Sequence, residues 1–142
     1  MPRPASLLVC LAALACAVAG HQGEETDQVS ALARQMADSR ETTVLGGDKL
    51  SLSGATLLNG YLITAVTMCD IHRSTLTHVT PEVMPPALAV AERDDKSGRD
   101  LLVALAAGME VTTRVGIGSD YPAARARGWH GPGVFGPFGA AA

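Results

Sequence analysis

An acid and two imidazoles fall within nine residues in the stretch Asp70-Ile71-His72-Arg73-Ser74-Thr75-Leu76-Thr77-His78-Val79-Thr80-Pro81, and a third imidazole follows at Gly128-Trp129-His130. Carboxylate beside imidazole suits proton transfer to or from carbon. Histidine titrates near neutral pH, and a neighbouring acid can shift its pKa and fix its tautomer. The same composition also fits a loop of solvated polar residues at a helix end. A third reading takes Asp70, His72, His78 and His130 as mixed ligands for zinc or iron, but no i, i+4 histidine pair and no cysteine ligand supports it.

The elements that must position these groups are helical. Of the 142 residues, 47% are hydrophobic and 18% charged, which argues against disorder and for one domain with a real core. Aromatics are only 4%, so the expected core is closely packed helices with small side chains. A formal net charge of −3 offers no basic field for a phosphate backbone, and no nucleic acid partner is expected. Cys10, Cys16 and Cys69 have no metal spacing and leave an odd thiol under any pairing, so they read as reduced, small hydrophobes.

Met1 to Gly20 carries a basic Arg3, an apolar run from Leu7 to Val18 and a small-x-small Ala17-Val18-Ala19, the pattern of a secretory signal peptide. Leu7, Leu8, Leu11, Leu14, Ala15 and Val18 also fall at the spacing of a buried helix. About 12 apolar residues are too few to span a bilayer, where roughly 20 are needed. No membrane partner is expected.

Thr26 or Asp27 can cap a helix through Asp38 with Val29, Leu32, Ala33 and Met36 on one face. Two short extended segments around Gly46-Gly47 come next, and His21, in the polar break before that helix, has no assigned role. Ser53 is the expected cap of a helix running through Ala55, Leu58, Leu62, Ala65 and Cys69. That arrangement leaves Asp70 at a helix C-terminus, the unfavourable end of the dipole. Pro81 opens another helix to Arg93, and Pro85-Pro86 fit only near its start.

Ser97 and Asp100 have the form of a capping box. The helix they open, Leu101 to about Val115, is apolar nearly all round and should be buried on most sides, with Glu110 and Arg114 paired on its one polar face. Gly116-Ile117-Gly118 ends it and is no dinucleotide fingerprint. Tyr121 to Arg127 reads as a short surface segment, Trp129 as a packing anchor for the His130 loop, and His72 as a surface histidine. A last small-residue helix starts near Phe138.

Leu58-Asn59-Gly60, the loop from Asp70 to Pro81, Pro86-Ala87-Leu88-Ala89-Val90-Ala91-Glu92, Ser97 to Leu102, Ala107 to Arg114, and Gly128-Trp129-His130 through Gly139-Ala140-Ala141 together resemble the MmgE/PrpD family, which includes 2-methylcitrate dehydratase and cis-aconitate decarboxylase. The likeness runs in order from about residue 7 onward. It implies an all-α fold: residues 1–142 as an incomplete N-terminal portion of the large helical domain, before a smaller α/β domain. It also places Leu7 to Gly20 where the family has an early buried helix. An exported helical binding protein with residues 1–19 cleaved remains the alternative.

The resemblance implies a cytoplasmic, usually dimeric lyase that acts without metal or organic cofactor on small di- or tricarboxylates. His78 takes the position of the family histidine after the acidic motif, Asp70 that of the motif's second acid, and His130 that of the histidine in the Gly-aromatic-His segment. The implied roles are His78 as general acid/base at the substrate carbon, Asp70 as its orienter or a second proton carrier, and His130 as a carboxylate-binding donor. Thr64, Thr67 and Cys69 stand where the family has a histidine and further acids, and His78-Val79-Thr80-Pro81 replaces the common His-Pro. A lysine completes the family pocket downstream of Ala142, so this stretch alone is expected to be inactive.

Overall fold

Thirteen residues without a charge, Leu52–Thr64, form the helix on which the other elements converge. The computed structural model describes residues 4–142, so Arg3, the basic residue of the signal-peptide reading, lies outside the described residues. Among those described, the order is α1 (Pro4–Gly20), α2 (Thr26–Gln35), β1 (Thr42–Thr43), β2 (Lys49–Leu50), α3 (Leu52–Thr64), α4 (Thr80–Arg93), α5 (Gly98–Gly118), α6 (Tyr121–Ala126) and α7 (Gly131–Ala141). The all-α expectation holds, with one two-residue antiparallel ribbon pairing Thr42 with Leu50 and Thr43 with Lys49.

Helix α3 is apolar all round because α1, α2 and α4 pack against it, burying Ala55, Leu58, Leu62 and Ile63. Its cap is Ser51 rather than Ser53. Ser51 is still extended, so its Oγ can accept from Gly54 N at 3.1 Å, whereas Ser53 already lies in the first turn. The helix also stops earlier than its apolar spacing suggests. Thr64 Oγ1 donates back to Tyr61 O at 2.9 Å, and Thr67 turns left-handed at φ 53°. Cys69 and Asp70 therefore belong to a loop, residues 65–79.

The ribbon is pinned to the helices by two side chains. Asn59 of α3, fully buried, donates through Nδ2 to Thr43 O at 2.9 Å and accepts from Leu45 N at 2.8 Å. Glu92 of α4 takes Thr43 N and Thr43 Oγ1, each at 2.6 Å. Gly46, at φ 80°, makes the turn between the strands.

In α1 the buried face is the one made of Cys10, Ala13, Cys16 and Ala17; Leu8 is 66% exposed, and Leu7, Leu11 and Val18 are exposed with it. The larger leucines share the helical spacing, but the small face is the one that lets α1 approach α3 closely. All three cysteines are free thiols. Helix α2 ends at Gln35 and buries Ala33, while Leu32 and Met36 are exposed.

Pro85 and Pro86 sit inside α4, deeper than their chemistry favours. Each lacks an N–H, and the carbonyl of Pro81 that loses a partner faces the close approach of Gly60 on α3.

The Ser97–Asp100 capping box forms as read. Helix α5 is less buried than its composition implies: Leu105, Gly108, Thr112 and Gly116 make the buried stripe, while Val103 and Ile117 are exposed. By length and composition alone it is long and apolar enough to cross a membrane, yet its stripe of small residues packs on α7. Glu110 and Arg114 pair on the exposed side, Nε to Oε1 at 2.6 Å.

Gly108 and Gly139 meet where α5 crosses α7, and a β-carbon on Gly108 would lie 2.6 Å from Gly139 O. The last helix starts at Gly131, well before Phe138, with Pro132 in its first turn. Tyr121 of α6 is buried edge-on to Phe135 of α7, ring centroids 5.7 Å apart. It anchors this corner, whereas Trp129 is 60% exposed and anchors nothing.

Candidate active site

The loop between α3 and α4 is tied into shape by its own polar groups. His72 N donates to Thr77 O at 2.8 Å, His72 Nδ1 lies 2.9 Å from Thr75 Oγ1, and Thr75 and Thr77 are buried beneath. His72 thus holds a turn. Its partner is a neighbouring threonine, and it does not line the groove described below.

His78 is half-buried, and its Nδ1 lies 3.0 Å from the main-chain carbonyl of Asp70. A carbonyl only accepts, so Nδ1 carries a proton, and in the neutral ring the lone pair falls on Nε2. The thiol of Cys69 is 3.3 Å from the same Nδ1. Burial first, and then the negative charge of Asp70, push that thiol above its ordinary range, which keeps it neutral. The ring is therefore fixed on one edge and open on the other.

The carboxylate of Asp70 does something else. Its Oδ1 accepts from Thr80 N at 3.1 Å, at the first turn of α4. An acid there lies at the favourable end of a helix dipole and satisfies an otherwise orphan amide. Since α3 ends at Thr64, Asp70 serves the next helix. Its orienting contact with His78 runs through the backbone rather than the side chain.

His78 and His130 line one groove of about 500 Å³ with Thr56, Gly60, Thr64 and Glu82. His130 reaches it from the N-cap of α7, where its ring is exposed and makes no capping bond. The first-turn amides of Gly131 and Gly133 have no acceptor within the helix, an arrangement that suits an anion. Thr64 occupies the wall with its hydroxyl turned back on its own helix. Tyr61, also on this wall, has its hydroxyl engaged with Glu25, donating to Oε2 at 3.0 Å. Among the described lining residues there is no lysine or arginine. Nor, among the described residues, do three acids, cysteines or histidines converge as a metal cluster would.

Glu82 is the lining residue that sequence reasoning passed over. An acid in the first turn of a helix reads as a dipole partner, and nothing local to it announces another use. In the fold its side chain turns to α7 and rests against Gly136, where an added β-carbon would collide with it. Both carboxyl oxygens are closed to solvent and have no hydrogen-bond partner. Burial, and secondarily the charge of Asp70, raise its pKa to about 8. The only signal in the sequence is the glycine at 136, which permits the seat.

A family model described as the MmgE/PrpD N-terminal domain matches residues 5–142. This chain belongs to the MmgE/PrpD family. The MmgE/PrpD chain is also similar to the cis-aconitate decarboxylase-like protein oryM of Aspergillus oryzae, with 31% identity over 137 residues, covering 91% of this chain and 28% of that relative. It thus spans little more than a quarter of the length of the curated relative. No solved structure matches it. The seven helices among the described residues agree with an all-α N-terminal domain of this MmgE/PrpD type.

Proposed function

We propose that this MmgE/PrpD chain contributes the proton-transfer side of a cofactor-independent lyase that acts on a small di- or tricarboxylate, removing water or carbon dioxide. The observation that carries the reading is the pairing of His78 and His130 in one groove, with His78 held through Nδ1 so that Nε2 is free to act. The similarity to a cis-aconitate decarboxylase-like protein supports the substrate class.

In the dehydration direction His78 Nε2 takes a proton from the carbon beside a carboxylate. The electron pair left on carbon forms the double bond as the neighbouring hydroxyl takes that proton from His78 and leaves as water. In decarboxylation the carbon–carbon bond breaks, carbon dioxide leaves, and protonated His78 returns its proton to the carbanion. Both paths build charge next to a carboxylate. His130 and the amides at the head of α7 hold that carboxylate. Asp70 acts as a positioning residue, through its carbonyl on His78 and its carboxylate on α4.

Because the described lining offers no lysine or arginine, the reading holds that these 142 residues by themselves turn over little substrate. It carries with it the cytoplasmic, dimeric state that the resemblance implies. The test is incubation of the protein, expressed as its gene encodes it, with hydroxylated and unsaturated tricarboxylates in D₂O, followed by proton NMR. Loss of water, or loss of carbon dioxide with deuterium appearing at the carbon that carried it, is expected, and His78→Gln should lower kcat by about 100-fold or more. No turnover and no exchange across the panel would sink the reading.

A further inference from the structure

Two acceptors converge on the Nδ1–H edge of His78, the carbonyl of Asp70 at 3.0 Å and the sulfur of Cys69 at 3.3 Å. The Asp70 carboxylate is turned to Thr80 N instead, its oxygens at 3.1 and 3.4 Å. The edge that could have taken a counter-ion is filled by two neutral groups. Cys69 is half-buried, packs against the main hydrophobic core, and does not line the groove of His78 and His130. It reaches that groove only through the ring. An anion on Nδ1 would stabilise the imidazolium and keep the ring protonated to higher pH. A neutral acceptor orients the ring with a far smaller bias, and a group that must take a proton and then return it works best when neither state is strongly favoured.

We propose that Cys69 is a positioning residue for His78: its neutral thiol shares the Nδ1 proton with the Asp70 carbonyl and holds the ring without a counter-charge, so that Nε2 can both accept a proton and give it back. The acid/base task rests on the lyase reading. Burial and the charge of Asp70 both oppose ionisation of the thiol, which keeps this acceptor neutral. The other titratable groups about the pair are Cys10 and Cys16 of α1, Tyr61 of α3, Asp70 of the loop, Glu82 of α4 and His130 at the head of α7. All of them stay in place when Cys69 alone is changed.

The probe is the ring itself, nitrogen-15 labelled, in the protein expressed as its gene encodes it. Long-range nitrogen–proton NMR from about pH 5 to about pH 9 reads its tautomer and its midpoint, and the His78 signals are assigned by their absence in His78→Gln. Wild type should show the Nδ1–H tautomer in the neutral ring. Cys69→Asp places an anion on that edge and should raise the midpoint by about one pH unit or more. Cys69→Ala removes an acceptor that binds the charged ring more strongly than the neutral one, and should lower the midpoint by about 0.3–0.5. Cys69→Ser restores a neutral acceptor and should stay within about 0.2 of wild type. Circular dichroism and thermal melting check folding, and if the aspartate variant does not fold, the alanine and serine variants decide.

An Nε2–H tautomer in wild type, or a midpoint that Cys69→Ala leaves where it was, overturns the proposal. So does a serine variant that departs from wild type as far as the alanine variant does. Turnover is read separately. In a working enzyme the acid limb of the pH profile should move with the midpoint in each variant, while KM changes by no more than about twofold. The expected titration pattern without turnover of any tricarboxylate removes the lyase reading and leaves the hold of Cys69 on His78 standing. Turnover whose pH profile no Cys69 variant moves removes Cys69 from the machinery and leaves the lyase reading standing.

Discussion

The imidazole of His78 is held through Nδ1 by the main-chain carbonyl of Asp70 at 3.0 Å, and the Asp70 carboxylate is spent on Thr80 N. One residue thus sets the tautomer of the candidate base with its backbone and the start of α4 with its side chain. The two tasks separate by substitution.

His78→Asn keeps an amide donor near the position of Nδ1 and has nothing where Nε2 was. Stability should stay within about 1 kcal/mol of wild type, since the bond to Asp70 O survives. Turnover should fall by about 100-fold or more, since the proton carrier is gone. Chemical denaturation and a steady-state assay on the same preparation check both halves. Equal loss of stability and turnover would make His78 a structural residue only.

Asp70→Ala removes the acceptor for Thr80 N and should cost about 1–2 kcal/mol by urea unfolding, the range of a lost helix cap. Asp70→Asn still offers a carbonyl oxygen and should cost less. Both changes remove a negative charge that opposes ionisation of Glu82, so the Glu82 titration should move to lower pH in each. Carbon-13 NMR of the labelled glutamate carboxyls reads that shift. A Glu82 titration unmoved in both variants would break the link between the two acids.

How much of this was legible beforehand follows from which features are local. The Ser97–Asp100 box, the Glu110–Arg114 pair and the glycine turn at Gly46 are fixed within a few residues, and each forms as the spacing implies. The pairing of His78 with His130 came from the ordered set of family motifs, and the fold brings both into one groove. The end of α3 was misread because apolar spacing continues past Thr64, while the backbone leaves the helical path in a turn where Thr67 is left-handed at φ 53°. The exposure of α5 was misread because composition records apolar character and not how many neighbours cover it. Glu82 was invisible because its state depends on Gly136, which is remote in sequence and adjacent only once α7 packs on α4.

The α5–α7 crossing is held by backbone approaching backbone, which makes its glycines the sharpest test of packing. A β-carbon on Gly139 would overlap both Gly108 O and Thr112 Oγ1. Gly139→Ala should therefore destabilise by about 2–3 kcal/mol even though alanine is the better helix former. Gly98→Ala, on the same helix as Gly108 but with open space around it, is the control and should change stability by less than about 1 kcal/mol. Urea midpoints of the two variants decide it. Equal effects would mean that α7 does not pack on α5 as described.

Glu82 also leaves a mark on stability, with a definite sign. In the unfolded chain the carboxyl titrates near its ordinary value of 4.5, and in the folded protein near 8. Between those values the folded state binds the extra proton, so stability falls as pH rises from about 4.5 to about 8 and levels off above. Glu82→Gln removes the ionisation and should lose this slope. At pH 5 and below, the contribution of Glu82 is nearly intact, and the variant should match wild type closely. At pH 9 it should be more stable than wild type by about 1–2 kcal/mol, a figure reduced from the full shift because the residue is only partly buried. Urea unfolding at pH 5, 7 and 9 gives the comparison directly. A stability difference between the two proteins that does not grow with pH would place the charge on Glu82 at neutral pH, and with it the carboxyl would be an ordinary helix-start acid.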